Sequence, residues 1–142
     1  MDSPIAGYGW FIKRIDNALA KEANSNLQAL NLTLQQNRVL IQLARTEGTP
    51  LSLKELEEHF GAAQSTVAGL VARLEKKGLV EGMSDPADKR IKLVRLTEEG
   101  VRLHALSRQK VVDSEARLTA LLSNEEKAQF LTCLRKVYQA IK

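Results

Sequence analysis

Basic side chains that could bind an anion are concentrated in the middle of the sequence. Residues 61–96 carry seven Lys or Arg against four Asp or Glu, whereas residues 1–60 carry six against seven. Three charged residues, Asp88, Lys89 and Arg90, lie together in a stretch of turn-forming residues. Lysine and arginine at this density bind phosphate groups. The net charge of +4 permits such a partner without requiring one.

The residue types present give little support for catalysis or metal binding. The two histidines, His59 and His104, are far apart in the sequence, and no Cys or His residues have the spacing of metal ligands. We therefore expect no enzyme, no cofactor and no metal site. The single cysteine, Cys133, lies between Leu131 and Leu134 on an amphipathic stretch, and we interpret it as an apolar packing residue rather than a redox switch.

Length and composition are those of one globular domain. The chain has 142 residues, of which 44% are hydrophobic and 27% charged, so disordered, fibrous and coiled-coil classes are disfavoured. Aromatic residues are only 4%, which disfavours a ring-lined pocket or a platform that stacks bases. No apolar run reaches the ~18 residues of a membrane span. One unpaired cysteine and an N-terminus unlike a secretion leader predict a cytoplasmic protein.

Helix starts are the clearest local signals. Three boxes place a hydroxyl residue three positions before Gln or Glu, and in a helix each such pair satisfies two backbone amides. These boxes run from Thr33 to Gln36, from Ser52 to Glu55 and from Ser123 to Glu126. Together with apolar residues at helical spacing, they predict six helices. These lie at about 8–30, at 33–45, at 53–60, from the following turn to about 77, at 97–122 and at 124–141.

The pattern changes its period after Gly78, which is placed to end a helix. Residues 79–83 and 91–96 are short β-prone runs separated by a charged loop, and they predict a β-hairpin. A short helix, a tight turn, a second helix and a charged hairpin make up a winged helix-turn-helix. The predicted fold class is therefore mainly α with a small β-hairpin wing.

Three segments resemble the MarR (multiple antibiotic resistance regulator) family of transcription regulators over roughly residues 30–100. They read LTLQQNRVLIQL, STVAGLVARLEKKGLV and DPADKRIKLVRLTEEG. The most specific piece is Asp88-Lys89-Arg90, followed six positions after Arg90 by a Leu-Thr-x-x-Gly run from Leu96 to Gly100. The resemblance implies a homodimeric repressor that binds double-stranded DNA at a palindromic operator, with no membrane partner.

The resemblance also divides the chain into three parts. Residues 1–31 would be an N-terminal dimerisation helix, residues 32–97 the winged DNA-binding domain, and residues 98–142 two C-terminal dimerisation helices that complete a dimer stem. Within the central part, the recognition helix is expected at about 63–77 and the wing at about 79–96. Apolar faces on the terminal helices independently favour a partner, and packing within one chain is the alternative.

The recognition helix would present its polar face to DNA. Apolar residues from Val67 to Leu74 form one stripe, and the opposite face carries Gly69. Glycine weakens a helix relative to alanine, so we infer close approach of the backbone to DNA at Gly69; drift on a solvent face is the alternative. Lys76 has an alternative role as a cation favourable to the helix dipole. The predicted contacts here are Gln64, Ser65, Thr66, Gly69, Arg73 and Lys76.

In the wing, the resemblance implies that Arg90 enters the minor groove at an A·T-rich segment, with Asp88 orienting it across the hairpin. Lys89 and Lys92 are expected to contact phosphates. An exposed Asp–Arg pair by itself contributes only ~0–1 kcal/mol and needs no function. The fixed distance to the Leu-Thr-x-x-Gly run is what favours a functional role.

An effector site is a further implication of the resemblance. A small aromatic or phenolic anion would bind in a crevice beside the dimer stem, and Trp10, Phe11 and Arg14 are candidate contacts. The alternative for these residues is the dimer core. For the whole chain, the alternative function is a winged-helix architectural or protein-interaction module without an effector, because a fold does not determine a function.

Overall fold

The computed structural model describes residues 6–60 and 64–142. This part of the chain contains six helices and a small three-stranded sheet, which confirms the mainly α class with a hairpin wing. In chain order the elements are α1 (Tyr8–Ala29), α2 (Leu34–Arg45), β1 (Leu51–Ser52), α3 (Leu53–Phe60), α4 (Gln64–Lys76), β2 (Val80–Ser84), β3 (Lys92–Leu96), α5 (Glu98–Leu118) and α6 (Asn124–Ile141).

All three predicted capping boxes form. The Thr33 hydroxyl accepts the Gln36 amide N–H at 3.1 Å, and the Gln36 side-chain oxygen accepts the Thr33 amide N–H at 3.2 Å. The same reciprocal bonds join Ser52 to Glu55 and Ser123 to Glu126. These three helix starts are therefore set by contacts within four residues, which is why the sequence predicts them.

The described residues fall into two compact units that divide between residues 110 and 111. The first unit holds the hydrophobic core, and the predicted stripe of α4 is buried in it. Its fully buried side chains are Val39, Leu40, Leu43, Leu56, Val67, Val71, Leu74 and Val94. In the second unit no residue of α6 is buried within the chain. None of the described helices is long and apolar enough to cross a membrane.

The sheet has the strand order β1-β3-β2, and all its pairs are antiparallel. The hairpin agrees with the prediction to within one residue, with Val80 opposite Leu96 and Ser84 opposite Lys92. Strand β1 was not predicted. It consists of two residues, with Leu51 opposite Val94, and attaches the segment before α3 to the wing.

Thr97 and Gly100 join the end of α4, the hairpin and the start of α5. The Thr97 amide donates to the Leu79 carbonyl at 3.1 Å, and its hydroxyl donates to the Gly78 carbonyl at 2.6 Å. The same hydroxyl accepts the Gly100 amide at 3.1 Å, so Thr97 also caps α5. Gly78, at φ +75°, ends α4 in the left-handed conformation that glycine adopts easily.

Gly100 lies against the backbone of Leu79. A Cβ atom at position 100 would be 2.0 Å from the Leu79 carbonyl oxygen and 3.1 Å from its carbon. Because the opposing atoms are backbone, the contact leaves no room for a side chain. The Leu-Thr-x-x-Gly run is thus a structural joint.

His104, on α5, is half-buried, and its Nδ1 atom has no hydrogen-bond partner among the described residues. Burial lowers the pKa of His104 below its ordinary value, and the positive charge of Arg108 lowers it further. The folded chain therefore disfavours the protonated imidazole.

We expect Gly100→Ala to lower the free energy of unfolding by about 1–3 kcal/mol, because the added methyl group overlaps a backbone carbonyl. Urea unfolding at fixed protein concentration measures the change. Gly69→Ala is the matched control, since a Cβ there meets only Arg73 Nη1 at 4.0 Å. That variant should gain about 0.5–1 kcal/mol from helix propensity. Equal stability of the two variants would contradict the conclusion that position 100 has no room for a side chain.

Stability should fall as pH drops below about 6.5. The unfolded chain takes up a proton on His104 near this pH, whereas the folded chain does so only at a lower pH because its pKa is depressed. The loss ends once pH passes below the pKa of the folded form. His104→Gln should reduce the fall seen by urea unfolding between about pH 7.5 and 5.5. His59→Gln, at an exposed histidine on α3, is the matched control, and an equal effect of the two substitutions would contradict the role assigned to His104.

Candidate nucleic-acid interface

The surface of α4 opposite its buried stripe is polar and accessible. Thr66, Arg73 and Lys76 are exposed on it. The helix begins at Gln64, but the side chains of Gln64 and Ser65 lie outside the described part of the structure, so their predicted roles stay predictions. Cationic side chains on an exposed helix can approach the edges of bases or the phosphates of a duplex.

Gly69 is not required by the packing of the free chain. A methyl group at this position would find its nearest neighbour, an Arg73 side-chain nitrogen, at 4.0 Å. Gly69 thus differs from Gly100, where the fold leaves room only for glycine. Any requirement for glycine at position 69 must come from outside the chain, which fits the predicted close approach and leaves drift as the alternative.

Arg90 lies in the β2–β3 loop and is held by a bidentate ion pair. Its Nε and Nη2 atoms donate to the two carboxylate oxygens of Asp88, both at 3.0 Å, while its side chain stays 90% exposed. The pair lowers the pKa of Asp88 and raises that of Arg90, because each charge stabilises the other. A pair of this geometry orients the guanidinium.

The expectation that Asp88 acts across the hairpin is wrong. Both residues belong to the same turn, and the Asp88 carboxylate also accepts the Arg90 amide N–H at 3.0 Å. The turn is closed by the Asp85 amide, which donates to the Ile91 carbonyl at 2.9 Å, and by the Ile91 amide, which donates to the Asp88 carbonyl at 3.0 Å. Asp88 therefore orients Arg90 through contacts local to the loop.

Lys92 is engaged within the protein. Its ammonium group hydrogen-bonds Glu75 on α4, although the sequence suggested a phosphate contact for this lysine. Lys89 is exposed in the loop, as such a contact requires. Sequence reasoning missed Glu75, because its partner is 17 residues away and no local pattern relates them.

Lys77 has a structural role at the other side of α4. Its ammonium group donates to the carbonyl of Asn31 and, at 2.9 Å, to the side-chain oxygen of Gln36. Asn31 has a left-handed φ of +55° at the corner between α1 and α2. Lys77 therefore ties this corner to the end of α4.

The candidate effector residues form one cluster on α1. The rings of Trp10 and Phe11 meet edge to face with their centroids 5.0 Å apart, and the Arg14 guanidinium lies 4.9 Å from the centre of the Trp10 ring. All three side chains are exposed. The described residues contain no group of three His, Cys, Asp or Glu side chains that could hold a metal ion.

Cys133 is exposed on α6, where no residue is buried within the chain. Its surroundings in one chain therefore do not bury it. Because α6 belongs to the segment expected to dimerise, the interpretation of Cys133 as an apolar packing residue stays a prediction.

Comparison with known proteins identifies the family. A sequence model of the MarR family matches residues 30–91. The transcriptional regulator HosA of Escherichia coli O111:H- is 33% identical over 110 residues, which are 78% of this chain and 80% of HosA. The chain belongs to the MarR family. As a MarR-family protein it is a transcription regulator and not an enzyme.

Two further relatives of this MarR-family chain cover most of its length. YwoH of Bacillus subtilis, named as an uncharacterized HTH-type transcriptional regulator, is 34% identical over 121 residues, 85% of this chain and 86% of YwoH. The crystal structure of the S. aureus MepR–DNA complex superposes with a TM-score of 0.81 at 25% identity, covering 95% of this chain and 100% of that chain. The winged helix-turn-helix fold is thus shared with a protein solved on DNA.

Proposed function

We propose that this MarR-family chain is a repressor that acts in the cytoplasm and binds a palindromic operator as a homodimer. In this proposal residues 32–97 contact DNA, with α4 in the major groove and the β2–β3 loop at the minor groove, while residues 1–31 and 98–142 dimerise. The observation that carries it is Arg90, an exposed guanidinium oriented by both oxygens of Asp88. An oriented guanidinium suits a narrow, negatively charged minor groove.

The charges around Arg90 support DNA as the partner. Arg73 and Lys76 are exposed on α4, and Lys89 is exposed in the same loop as Arg90. These four cations come from two elements that are joined through Gly78 and Thr97. The similar MepR structure contains DNA, and we carry that partner over to this chain.

Exposed apolar side chains support the homodimer. Phe11 and Ile12 on α1 are 50% and 53% exposed, and Leu134, Val137 and Ile141 on α6 are 43%, 53% and 79% exposed. Exposed apolar surface of this extent marks an interaction site, since burying it contributes about 25 cal/mol per Å². A two-fold dimer would place two recognition helices about 34–36 Å apart, one turn of DNA.

Release by an effector is the remaining part of the proposal. Trp10, Phe11 and Arg14 combine two rings with a cation, which suits a small aromatic anion. The same rings suit a dimer contact, and we favour this role because Ile12 and Ile15 beside them are also exposed. An effector would release DNA only if it bound more tightly to a dimer whose recognition helices are wrongly spaced.

Binding to the DNA upstream of the chain's own gene, compared with an unrelated duplex of equal length at several salt concentrations, tests the central claim. We expect the upstream DNA to bind at least ~10³-fold more tightly, as specific regulators do. Equal binding of the two duplexes would contradict the operator claim and favour the architectural or protein-interaction module. A reporter under the upstream DNA should rise when the gene is deleted, and a fall would indicate an activator.

Arg90→Ala should cost about 1–3 kcal/mol of operator binding and flatten the salt dependence. Arg102→Ala is the matched control, because Arg102 also forms an exposed ion pair, with Glu99 on α5, outside the proposed interface. Equal losses in the two variants would show that only net charge matters.

Trp10 is the single tryptophan and therefore reports on the dimer. On dilution through the dissociation constant of the dimer, its emission should shift to the red as the ring becomes exposed to water. Ile141→Lys, at the opposite end of the chain, should move this transition to higher protein concentration. Titration with benzoate at fixed protein concentration distinguishes a role of Trp10 in the dimer contact from a role in effector binding. A change in emission with benzoate but not with dilution would assign Trp10 to an effector site.

A further inference from the structure

The ion pair between Lys92 and Glu75 connects the wing to the recognition helix. Lys92 begins β3 and Glu75 lies in the last turns of α4. The other two ion pairs of the wing stay inside it, since Arg90 bonds Asp88 in the loop and Arg95 bonds Glu81 on the neighbouring strand. The Lys92–Glu75 pair is therefore placed to influence where the wing lies relative to α4.

Gly82 makes room for this pair. It lies on β2 opposite Val94, and a Cβ atom there would be 2.6 Å from Lys92 Cε, 3.3 Å from Lys92 Nζ and 3.6 Å from a carboxylate oxygen of Glu75. Glycine inside a strand weakens the sheet and often marks a site where another group approaches the backbone closely. Here the approaching group is the lysine side chain on its way to Glu75.

The pair lies beside a shallow groove that is open to solvent. The groove has a volume of about 320 Å³, and the hairpin and its loop line it together with Glu75 of α4; its lining includes Gly82, Ser84, Lys89 and Lys92. The hairpin is held at its base by the joint at Thr97, and β3 is held by its pairing with β1 at Leu93 and Val94. The ion pair adds a contact between α4 and the start of β3, where Lys92 lies beyond these attachments.

We propose that Glu75, Lys92 and Gly82 form a wing brace that sets the position of Arg90 relative to α4. This inference rests on the proposed operator binding and makes Glu75 a positioning residue for it. Simultaneous contacts in two grooves require the wing and the helix to keep one spacing, and a preformed spacing lowers the entropy lost on binding. Lys92 then serves the fold of the interface and does not contact phosphate.

Glu75→Gln separates the wing brace from simple electrostatics. Removing a carboxylate beside DNA should strengthen binding to every duplex if charge alone matters. The wing brace instead requires the ratio of operator to unrelated-duplex affinity to fall, by about three- to fivefold for an exposed pair. Glu81→Gln is the matched control, since it removes the same charge from a pair inside the wing, and its ratio should stay at the wild-type value.

Two further variants test the geometry. Gly82→Ala keeps both charges but places a Cβ atom 2.6 Å from Lys92 Cε, so the lysine side chain must shift. It should lower the ratio in the same direction as Glu75→Gln, by a smaller factor and without loss of stability. The exchange Glu75→Lys with Lys92→Glu rebuilds the pair in reverse and should restore the ratio. If Lys92 binds phosphate instead, the exchange fails, and Lys92→Met reduces the salt slope by about one. That result would overturn the wing brace.

Amide hydrogen exchange of residues 84–91 in the DNA-free protein gives a readout that does not depend on operator binding. Exchange should be faster in Glu75→Gln and Gly82→Ala than in the wild type and Glu81→Gln. Equal exchange in all four proteins would overturn the inference whatever the DNA affinities. If the wild type fails to distinguish the two duplexes, the proposed function fails, and the exchange rates still decide whether the wing brace exists.

Discussion

The backbone contact between Gly100 and Leu79 is the constraint on which the interface depends. The end of α4, both ends of the hairpin and the start of α5 lie close to this contact. Thr97 satisfies the Gly78 carbonyl and the Gly100 amide with one hydroxyl group, so the end of one helix and the start of another share a cap. Since Val80 pairs with Leu96 beside it, the base of the wing is placed relative to α4 by the same contact.

The polar contacts of the basic residues divide them into two groups. One group links different elements of the protein, and the other stays exposed to solvent. Lys92 and Arg95 are engaged by Glu75 and Glu81, and Lys77 is engaged by backbone and amide oxygens. Arg90 is also paired, but with a neighbour two residues away and in full contact with solvent. Arg90 therefore stays accessible while Asp88 orients it, whereas Lys77 is engaged at the corner between α1 and α2.

Local signals made much of the fold predictable. The capping boxes at Thr33, Ser52 and Ser123, the buried stripe of α4 and the hairpin follow from residues within a few positions of one another. Strand β1 was missed because two residues carry no periodicity, and its pairing with Val94 joins distant segments. An apolar helical face such as the one that carries Cys133 indicates burial without specifying the surface that buries it, and the single chain leaves Cys133 exposed.

The sequence by itself determined the helices, the hairpin, the family and the Asp88–Arg90 pair, because each depends on residues close together in the chain or on a run of residue types. Only the tertiary structure distinguished the glycines, since Gly100 meets a carbonyl, Gly82 meets the Lys92 side chain and Gly69 meets almost nothing. The tertiary structure alone also decided which of the basic side chains named above are engaged by other groups of the protein. These outcomes depend on distances between elements that are far apart in sequence, and a pattern of residue types does not encode such distances.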